Sequence, residues 1–518
     1  MPPYQSPGVY VEEVAAGARP LEGAGTAMAA FIGLAEDGVF NTPTLVSNWT
    51  QFTTTFGGFV SGSYLAQSVY AYFQNGGGNC YVVRIGQSGA SNGSTPRGSK
   101  AKEIAGGPTA QVGRIRVTAL DPAAEPGDIA VEVTDAGGDS PSEEMFRLVV
   151  TVKGEVVEEF DRANFARGKQ NVVTMVNAAS KVIQLEDAGS GAVSRPVSGT
   201  TTLVAAPPPA AVPSERLSAD DYVGDVADRT GFGGLEAIED ITMLCVPDLM
   251  SAYQQGAIDL DQVQAVQLAM ITHCELMGDR VAILDPPPGM NAQQIKEWRV
   301  DKAGYDSMYA TLYWPWVQTM NPATGQLAFM PPSGHVAGVW GRNDATRGVH
   351  KAPANEIVRG AIDLEINITR NEHDLLNPAG INVIRAFPGR GIRVWGARTL
   401  SSDPAWRYLN IRRLFNYLEK SILNGTNWVV FEPNDRALWA KIRRTIATFL
   451  VMEWRAGALF GATPDEAFYV KCDDETNPAE GIDAGQVVCE IGVAPVKPAE
   501  FVIFRLAQFS GGTSLVSE

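Results

Sequence analysis

The chain has 518 residues, enough for about three domains. Hydrophobic residues make up 45% and aromatics 8%, which supplies real cores and excludes a disordered chain or a small disulfide-stapled scaffold. The formal charge of −17 argues against nucleic acid as a general partner, because neutralising phosphates needs a basic face.

Five cysteines, Cys80, Cys245, Cys274, Cys472 and Cys489, are odd in number, far apart and never spaced CxxC. That argues against a disulfide framework and a structural zinc site. The opening Met1-Pro2-Pro3-Tyr4 carries no basic or apolar signal region, so a secretory leader is not expected. No run of 18 apolar residues occurs, so membrane insertion is not expected either, and a start in a cytoplasm is. The charge is uneven. Residues 385–455 hold 13 Lys or Arg against 5 Asp or Glu, a basic band within an acidic chain. Such a band reads either as solvated helix faces or as a face for an acidic partner.

In chain order, residues 1–20 read as an arm. Prolines bracket a β-prone stretch, Val9, Tyr10, Val11, Glu12, Glu13 and Val14, that has no local strand partner. Residues 26–34 read as a buried strand. Tyr64, Leu65, Val69, Tyr72 and Phe73 follow helical spacing up to Gly76-Gly77-Gly78, and residues 80–85 form a strand. From about 88 to 213, Gly, Ser, Thr and Pro rise. Strands are expected over 113–120, 128–134 and 146–160, the last folded back at Lys153-Gly154. From about 219 to 343 the pattern alternates: strand 241–246, helix 260–277, strand 280–284, helix 292–302 and strand 309–314. That alternation predicts a parallel sheet with helices on its faces. Then come a hairpin over 381–394 around Pro388-Gly389-Arg390-Gly391 and two amphipathic helices. The first is lined by Trp406, Leu409, Leu414, Phe415, Leu418 and Ile422. The second is lined by Leu438, Trp439, Ile442, Ile446, Phe449 and Leu450. Their opposite faces carry Arg407, Arg412, Arg413, Arg436, Lys441, Arg443 and Arg444, expected to point outward. Residues 468–471 and 487–493 read as a strand pair. A second β-prone run, Phe501, Val502, Ile503, Phe504, Arg505 and Leu506, continuing to Phe509, has no local partner.

Chemistry-bearing patterns are few. The four histidines, His273, His335, His350 and His373, form no HxxxH pair, and His273 reads as structural. Asp248 and Asp285 follow strands where α/β enzymes place catalytic groups, but they also read as ordinary strand terminators. Gly512-Thr513-Ser514 leaves no room for the helix a subtilase serine needs, and neither a GxSxG elbow nor a phosphate loop occurs. Pro388-Gly389-Arg390-Gly391 reads as a tight turn rather than an anion site. No catalytic, cofactor or metal residue is expected.

Several blocks together resemble the contractile tail sheath proteins of bacteriophages and phage-derived injection systems. They are Tyr4-Gln5-Ser6-Pro7-Gly8-Val9-Tyr10-Val11-Glu12-Glu13-Val14, Ala30-Phe31-Ile32-Gly33 and Phe73-Gln74-Asn75-Gly76-Gly77-Gly78-Asn79-Cys80-Tyr81-Val82-Val83-Arg84. Further blocks are Pro331-Pro332-Ser333-Gly334-His335-Val336-Ala337-Gly338, then Arg347-Gly348-Val349-His350-Lys351-Ala352-Pro353-Ala354-Asn355. The last is Trp406-Arg407-Tyr408-Leu409-Asn410-Ile411-Arg412-Arg413-Leu414-Phe415.

The resemblance implies an α/β, multidomain chain with a β-rich insertion. It implies a subtilisin-like α/β middle domain without a catalytic triad and an α+β domain built from both termini. The expected divisions are an arm over 1–20, a core of 21–89 with 346–498, an outer insert over 90–215, the middle domain over 216–345, and a linking strand and tail over 499–518. It further implies a helical homo-oligomer around an inner tube protein, bounded by baseplate and terminal cap proteins. The sheath would be assembled in the bacterial cytoplasm, as part of a virion tail or an injection particle. Terminal strands (Val9–Val14 and Phe501–Leu506 in this numbering) would link subunits. The basic face (Arg407, Arg412, Arg413, Arg436, Lys441, Arg443, Arg444) would meet the tube. Two alternatives stay open on the residues alone: an α/β hydrolase and a glycan- or receptor-binding adhesin using the insert.

Overall fold

The computed structural model describes residues 21–86, 217–322 and 324–505, and between them 108–112, 115–119, 127–137, 145–165, 171–187, 196 and 198–203. The chain divides into two units, residues 91–211 and the rest. The expected arm strand, Val9 to Val14, lies outside the described residues.

The larger unit is built on one sheet of nine strands. They are β1 (Ala29–Gly33), β2 (Thr44–Val46), β3 (Cys80–Arg84), β4 (Met243–Cys245), β5 (Val281–Leu284), β6 (Ala310–Trp314), β7 (Glu356–Ile357), β8 (Ile381–Phe387) and β9 (Gly391–Val394). Their spatial order is β7-β9-β8-β6-β5-β4-β1-β3-β2. The six strands from β8 to β3 are parallel, and antiparallel pairs close both edges.

Alternate residues along each parallel strand enter opposite cores, because the side-chain period of a strand is two. Ala30, Ile32, Leu244, Leu284 and Leu312 enter one. Phe31, Met243, Cys245, Ile283 and Tyr313 enter the other. Each face is then covered by helices: α1 (Leu65–Asn75), α2 (Leu260–Met277) and α3 (Ser333–Arg347). Val263, Val266, Met270 and Cys274 of α2 close the first core. Leu65, Val69 and Tyr72 of α1, with Val336, Val339 and Trp340 of α3, close the second. A parallel sheet covered on both faces needs strands that are apolar throughout, which is how β1, β4, β5 and β6 read.

This sheet runs across the expected division at residue 345. β1 and β3, with β8 and β9, come from the expected core of 21–89 with 346–498 and β4 to β6 from the expected middle domain, yet all share one sheet. Any of these groups alone would leave buried parallel edges unpaired.

Beyond the sheet, α4 (Leu409–Thr426), α5 (Arg436–Arg455) and an antiparallel hairpin, β10 (Phe468–Lys471) with β11 (Glu490–Val493), form a further cluster. Its core includes Leu414, Leu418, Leu438, Trp439, Ile442, Phe449 and Cys472. Leu21, the first described residue, is buried in it. Residues 501–505 carry no strand, and 506–509 of the expected β-run lie outside the described residues.

The smaller unit holds two antiparallel sheets. One has four strands: Gly199–Thr202, Ile129–Asp135, Phe146–Val152 and Glu155–Ala163. The other has three: Thr109–Val112, Ile115–Ala119 and Ile183–Asp187. With one helix, Val172–Ala179, they enclose Ile115, Val131, Phe146, Leu148, Val176 and Leu185. Lys153 and Gly154 both have positive φ, 53° and 86°, and form the tight turn between two of these strands.

The closest helix packing is between α1 and α3, and glycine makes it possible. A Cβ on Gly334 would stand 2.5 Å from the Ser68 carbonyl oxygen, and one on Gly338 would stand 2.4 Å from that of Tyr72. These backbones cannot part without opening the second core. Replacing Gly338 by Ala should therefore destabilise the chain by ~1–3 kcal/mol, the usual cost of overpacking, despite alanine's better helix propensity. Urea unfolding measures it, and a variant as stable as wild type would contradict this packing.

Candidate functional site

The two carboxylates at enzyme-like positions are wholly buried helix caps. Asp248 follows β4 and faces the start of α1. Its Oδ2 accepts from Leu34 N at 2.6 Å and Ser63 Oγ at 2.9 Å, and its Oδ1 accepts from Tyr64 N and from Leu65 N at 3.1 Å. Asp285 follows β5 and faces the start of α3, where Pro332 offers no side-chain cap. It accepts from Ser333 N at 2.8 Å and Ser333 Oγ at 2.6 Å. Each satisfies backbone donors that a helix start leaves open. Burial pushes the Asp248 carboxyl up to about 6 and the Asp285 carboxyl up to about 7, against the hydrogen bonds that favour charge. Both carboxylates are buried and taken up by these caps.

The histidines do not assemble a site. His335 is buried in α3, held neutral by burial, with Nδ1 unpartnered. His273 packs against Phe232 and Arg280. Among the described residues, no group of three or more His, Cys, Asp or Glu could hold a metal ion. Gly389 and Gly391, with φ of 72° and 74°, form the turn between β8 and β9. Gly512, Thr513 and Ser514 lie outside the described residues.

The basic band is not one outward face. Arg412 and Arg413, expected outside, are buried. Arg413 forms a two-pronged pair with Asp344 of α3, at 3.0 and 2.6 Å, and lies 4.6 Å over the Trp340 ring. Arg412 bonds Asn416 at 2.7 Å and Glu419 at 3.1 Å, stacked near Tyr309 and Trp406. The cause is that α4 lies between two cores. Leu409 belongs to the sheet and Leu414 and Leu418 to the α4–α5 cluster, so at Arg412 and Arg413 its polar side faces protein rather than water. A buried guanidinium is tolerated only when paired and hydrogen-bonded, as both are.

The other five are at least partly accessible. Arg407 is half-buried, and Arg436 pairs with Asp474 at 3.0 Å on the surface. Lys441 sits 4.1 Å over the Trp428 ring, Arg443 donates to the Cys472 carbonyl, and Arg444 is exposed.

Arg443 and Arg444 also line an open groove of about 620 Å³ between α5 and β10, with Phe468, Tyr469 and Val470 on its other wall. Among the described residues, no third strand pairs with β10 or β11, so the hairpin keeps two outer edges. Tyr469 lies flat on its cross-strand partner Gly492, where a Cβ would stand 2.1 Å from the ring.

The other β-prone run leaves the body at a clamp that sequence reasoning missed. Glu500 accepts from Arg398 Nε at 2.9 Å and Nη2 at 2.6 Å, from Asn377 at 2.8 Å and from Tyr408 at 3.2 Å. Arg398 is tied in turn to the sheet: Asn382 of β8 bonds its backbone N and O, and Thr311 of β6 its O. Burial alone would raise the Glu500 carboxyl, yet Arg398 and its neighbours hold it below the usual carboxylate range. Beyond the clamp, Phe501, Val502, Ile503 and Phe504 are 72, 68, 78 and 84% exposed. No local spacing signals a pair 102 residues apart.

Comparison with known proteins bears on this arrangement. Residues 218–400 match the phage tail sheath protein central domain, and residues 401–509 match the phage tail sheath C-terminal domain. The chain belongs to the phage tail sheath family. It is 25% identical to the tail sheath protein of Vibrio phage KVP40 over 391 residues, 70% of this chain and 55% of that one. With the tail sheath protein of Escherichia phage P2 it shares 23% over 217 residues, 41% of this chain and 53% of that one. Thus the chain spans a little over half the length of these two relatives. Its fold is that of the contracted anti-feeding prophage helical sheath, with a TM-score of 0.59, 23% identity, and coverage of 98% of this chain and 99% of that one. The contracted PVC sheath of an extracellular contractile injection system gives a TM-score of 0.57 at 21% identity, with the same coverage of both chains.

The buried cap gives a pH test within this sheath fold. Asp285 keeps its proton in the folded chain up to about pH 7 but loses it near 4 when unfolded. Its contribution is therefore most favourable at low pH and falls as pH rises through 4 to 7. Relative to Asp285→Asn, which does not titrate, wild type should lose roughly 3 kcal/mol of stability between pH 5 and 8. Urea unfolding of both proteins at the two pH values measures the gap, and a constant gap would contradict a protonated cap.

Proposed function

We propose that the chain is the structural subunit of a helical contractile sheath around an inner tube, acting without catalysis. The observation that carries the reading is the family match over residues 218–509, which spans strands β4 to β9 of the sheet, the hairpin and the exposed run after Glu500. The fold likeness to two sheaths in the contracted state supports it. The hydrolase alternative loses its two best carboxylates to helix capping, and no observation favours the adhesin.

In this reading, subunits assemble in the bacterial cytoplasm into an extended sheath bounded by baseplate and cap proteins. The sheath is part of a phage tail or a tail-like particle. On triggering, each subunit moves as a body into a lower-energy packing, and the shortened sheath drives the tube through a target envelope. Nucleotide is not required, since the energy sits in interfaces with two stable arrangements.

Subunits stay joined through terminal strands. Val9, Tyr10, Val11, Glu12, Glu13 and Val14 of one copy, and Phe501, Val502, Ile503, Phe504, Arg505 and Leu506 of another, would add to the outer edges of β10 and β11. Main-chain ladder bonds then hold while the link bends. A 20-residue arm can span at most roughly 70 Å, enough to reach a neighbour. Arg407, Arg436, Lys441, Arg443 and Arg444 are the candidate tube contacts. Exposed pairs are worth only ~0–1 kcal/mol each, which suits a contact that must release.

The finer fold reading belongs to the same proposal. A subtilisin-like middle part without a triad is supported by parallel strands with helices on both faces. A part built from both termini is supported by Leu21 sharing a core with α4 and α5. The insert over 90–215 would lie on the outside of the sheath, supported by its polar, turn-rich composition.

Leu21 is anchored in the body, so removing residues 1–20 should leave the thermal midpoint unchanged. The same deletion should abolish sheath formation. Electron microscopy of the deletion variant reads the outcome, and sheaths of normal length would contradict the linking role.

A further inference from the structure

We propose that Cys472 and Cys489 are a redox pair that closes the β10–β11 hairpin with a cross-strand disulfide when the protein meets a peroxide. The two cysteines are reduced in this structure. The hairpin register runs Phe468↔Val493 to Lys471↔Glu490, and one further step sets Cys472 opposite Cys489. Phe468, Val470 and Cys472 share the inner face with Ile491, Val493 and Cys489, all in the core under α5. The two thiols lie close enough for each to shift the other's titration.

Directly opposed residues on antiparallel strands have Cα atoms about 4.5 or 5.5 Å apart. Both distances fall within the range of about 4.4–6.8 Å that a disulfide spans, so the bond needs no backbone opening. The backbone around the pair is also held. Arg443 donates to the Cys472 carbonyl. Asn477 bonds Val488 through both N–H and C=O, at 2.7 and 3.0 Å, and reaches Cys472 Sγ at 3.8 Å. The other three cysteines, Cys80, Cys245 and Cys274, are buried in the cores of the central sheet.

The two sulfurs differ in access: Cys472 is buried and Cys489 is half-buried. Cys489 is therefore the sulfur that peroxide reaches first. Its thiolate attacks one peroxide oxygen, the O–O bond breaks, the sulfur becomes a sulfenic acid and the other oxygen leaves as water. Cys472 then attacks the Cys489 sulfur, the S–S bond forms, the S–O bond breaks and a second water leaves. Two thiols and one hydrogen peroxide become one disulfide and two waters. Burial pushes the Cys489 thiol up to about 12 and raises that of Cys472, so few thiolates exist at neutral pH. The pair thus stays reduced during synthesis and oxidises slowly, faster as pH rises.

The bond would pin the ends of β10 and β11 across the loop of residues 473–488. The consequence for subunit linking rests on the strand-acceptor role proposed above, whereas the chemistry does not. The test therefore uses the isolated full-length chain. It is treated with hydrogen peroxide at pH 8, its free thiols are alkylated after unfolding, and its mass is mapped by peptide. The expected result is a loss of two hydrogens located to a Cys472–Cys489 link, reversed by dithiothreitol, with Cys80, Cys245 and Cys274 still alkylated. Amide exchange in β10 and β11 should slow at least tenfold on oxidation, and Cys489→Ser should abolish both effects. The proposal is overturned by sulfinic or sulfonic acid on Cys489 with Cys472 free, by links between chains, by no reaction, or by hairpin exchange unchanged after the link forms.

Discussion

An unpaired strand edge is the constraint on which the assembly reading depends. The β10–β11 hairpin packs one face on α5 but presents two edges with no strand beside them among the described residues. Exposed edges template pairing with other chains, and most proteins cover or charge them. Here the same unit also carries four consecutive exposed apolar residues, Phe501 to Phe504, just beyond a clamp that fixes their starting point. An edge without a strand and a strand-like run without an edge are complementary. Within one chain the described residues of the run join no strand, and in the proposed linking the run of one copy fills the edge of another.

For a link of that kind to transmit force, the body behind it must not yield. Three features stiffen it. Asp248 and Asp285 join the ends of β4 and β5 to the starts of α1 and α3, with buried hydrogen bonds in place of water. Gly334 and Gly338 bring those helices into backbone contact. The Arg413–Asp344 pair fastens α4 to α3, and the Glu500–Arg398 pair carries the C-terminal run back to the sheet through Asn382 and Thr311. Each polar link spans more than 15 residues of sequence, so together they tie distant segments of the larger unit to one another.

Much of this was legible in the residues, for definite reasons. β1, β5 and β6 are short runs of apolar residues, and α5 repeats its apolar positions at three and four. Such patterns survive because burial is their cause. The block from Pro331 to Gly338 stood out as a motif, and its use is now physical: Ser333 donates to Asp285, and the glycines admit α1. What was not legible depends on a second layer. Arg412 and Arg413 lie on the polar side of an amphipathic helix, and nothing in that pattern shows that another core covers it. That the sheet runs across residue 345 was not legible either, because strand order in a sheet is not chain order. Cys472 and Cys489, 17 apart, become neighbours only once the hairpin register is known. Phe501 to Arg505 read as a strand, but a strand without a partner has nowhere to place its backbone hydrogen bonds and forms none in a single chain.

The central claim is that backbone edges left open in one chain are filled by strands from others. Hydrogen–deuterium exchange on the isolated chain and on assembled sheath tests it most directly. The account predicts that amides of residues 9–14 and 501–506, and the outward-facing amides of β10 and β11, exchange freely in the isolated chain and become protected together in the sheath. Sheath in which 9–14 and 501–506 exchange as fast as in the isolated chain would contradict it.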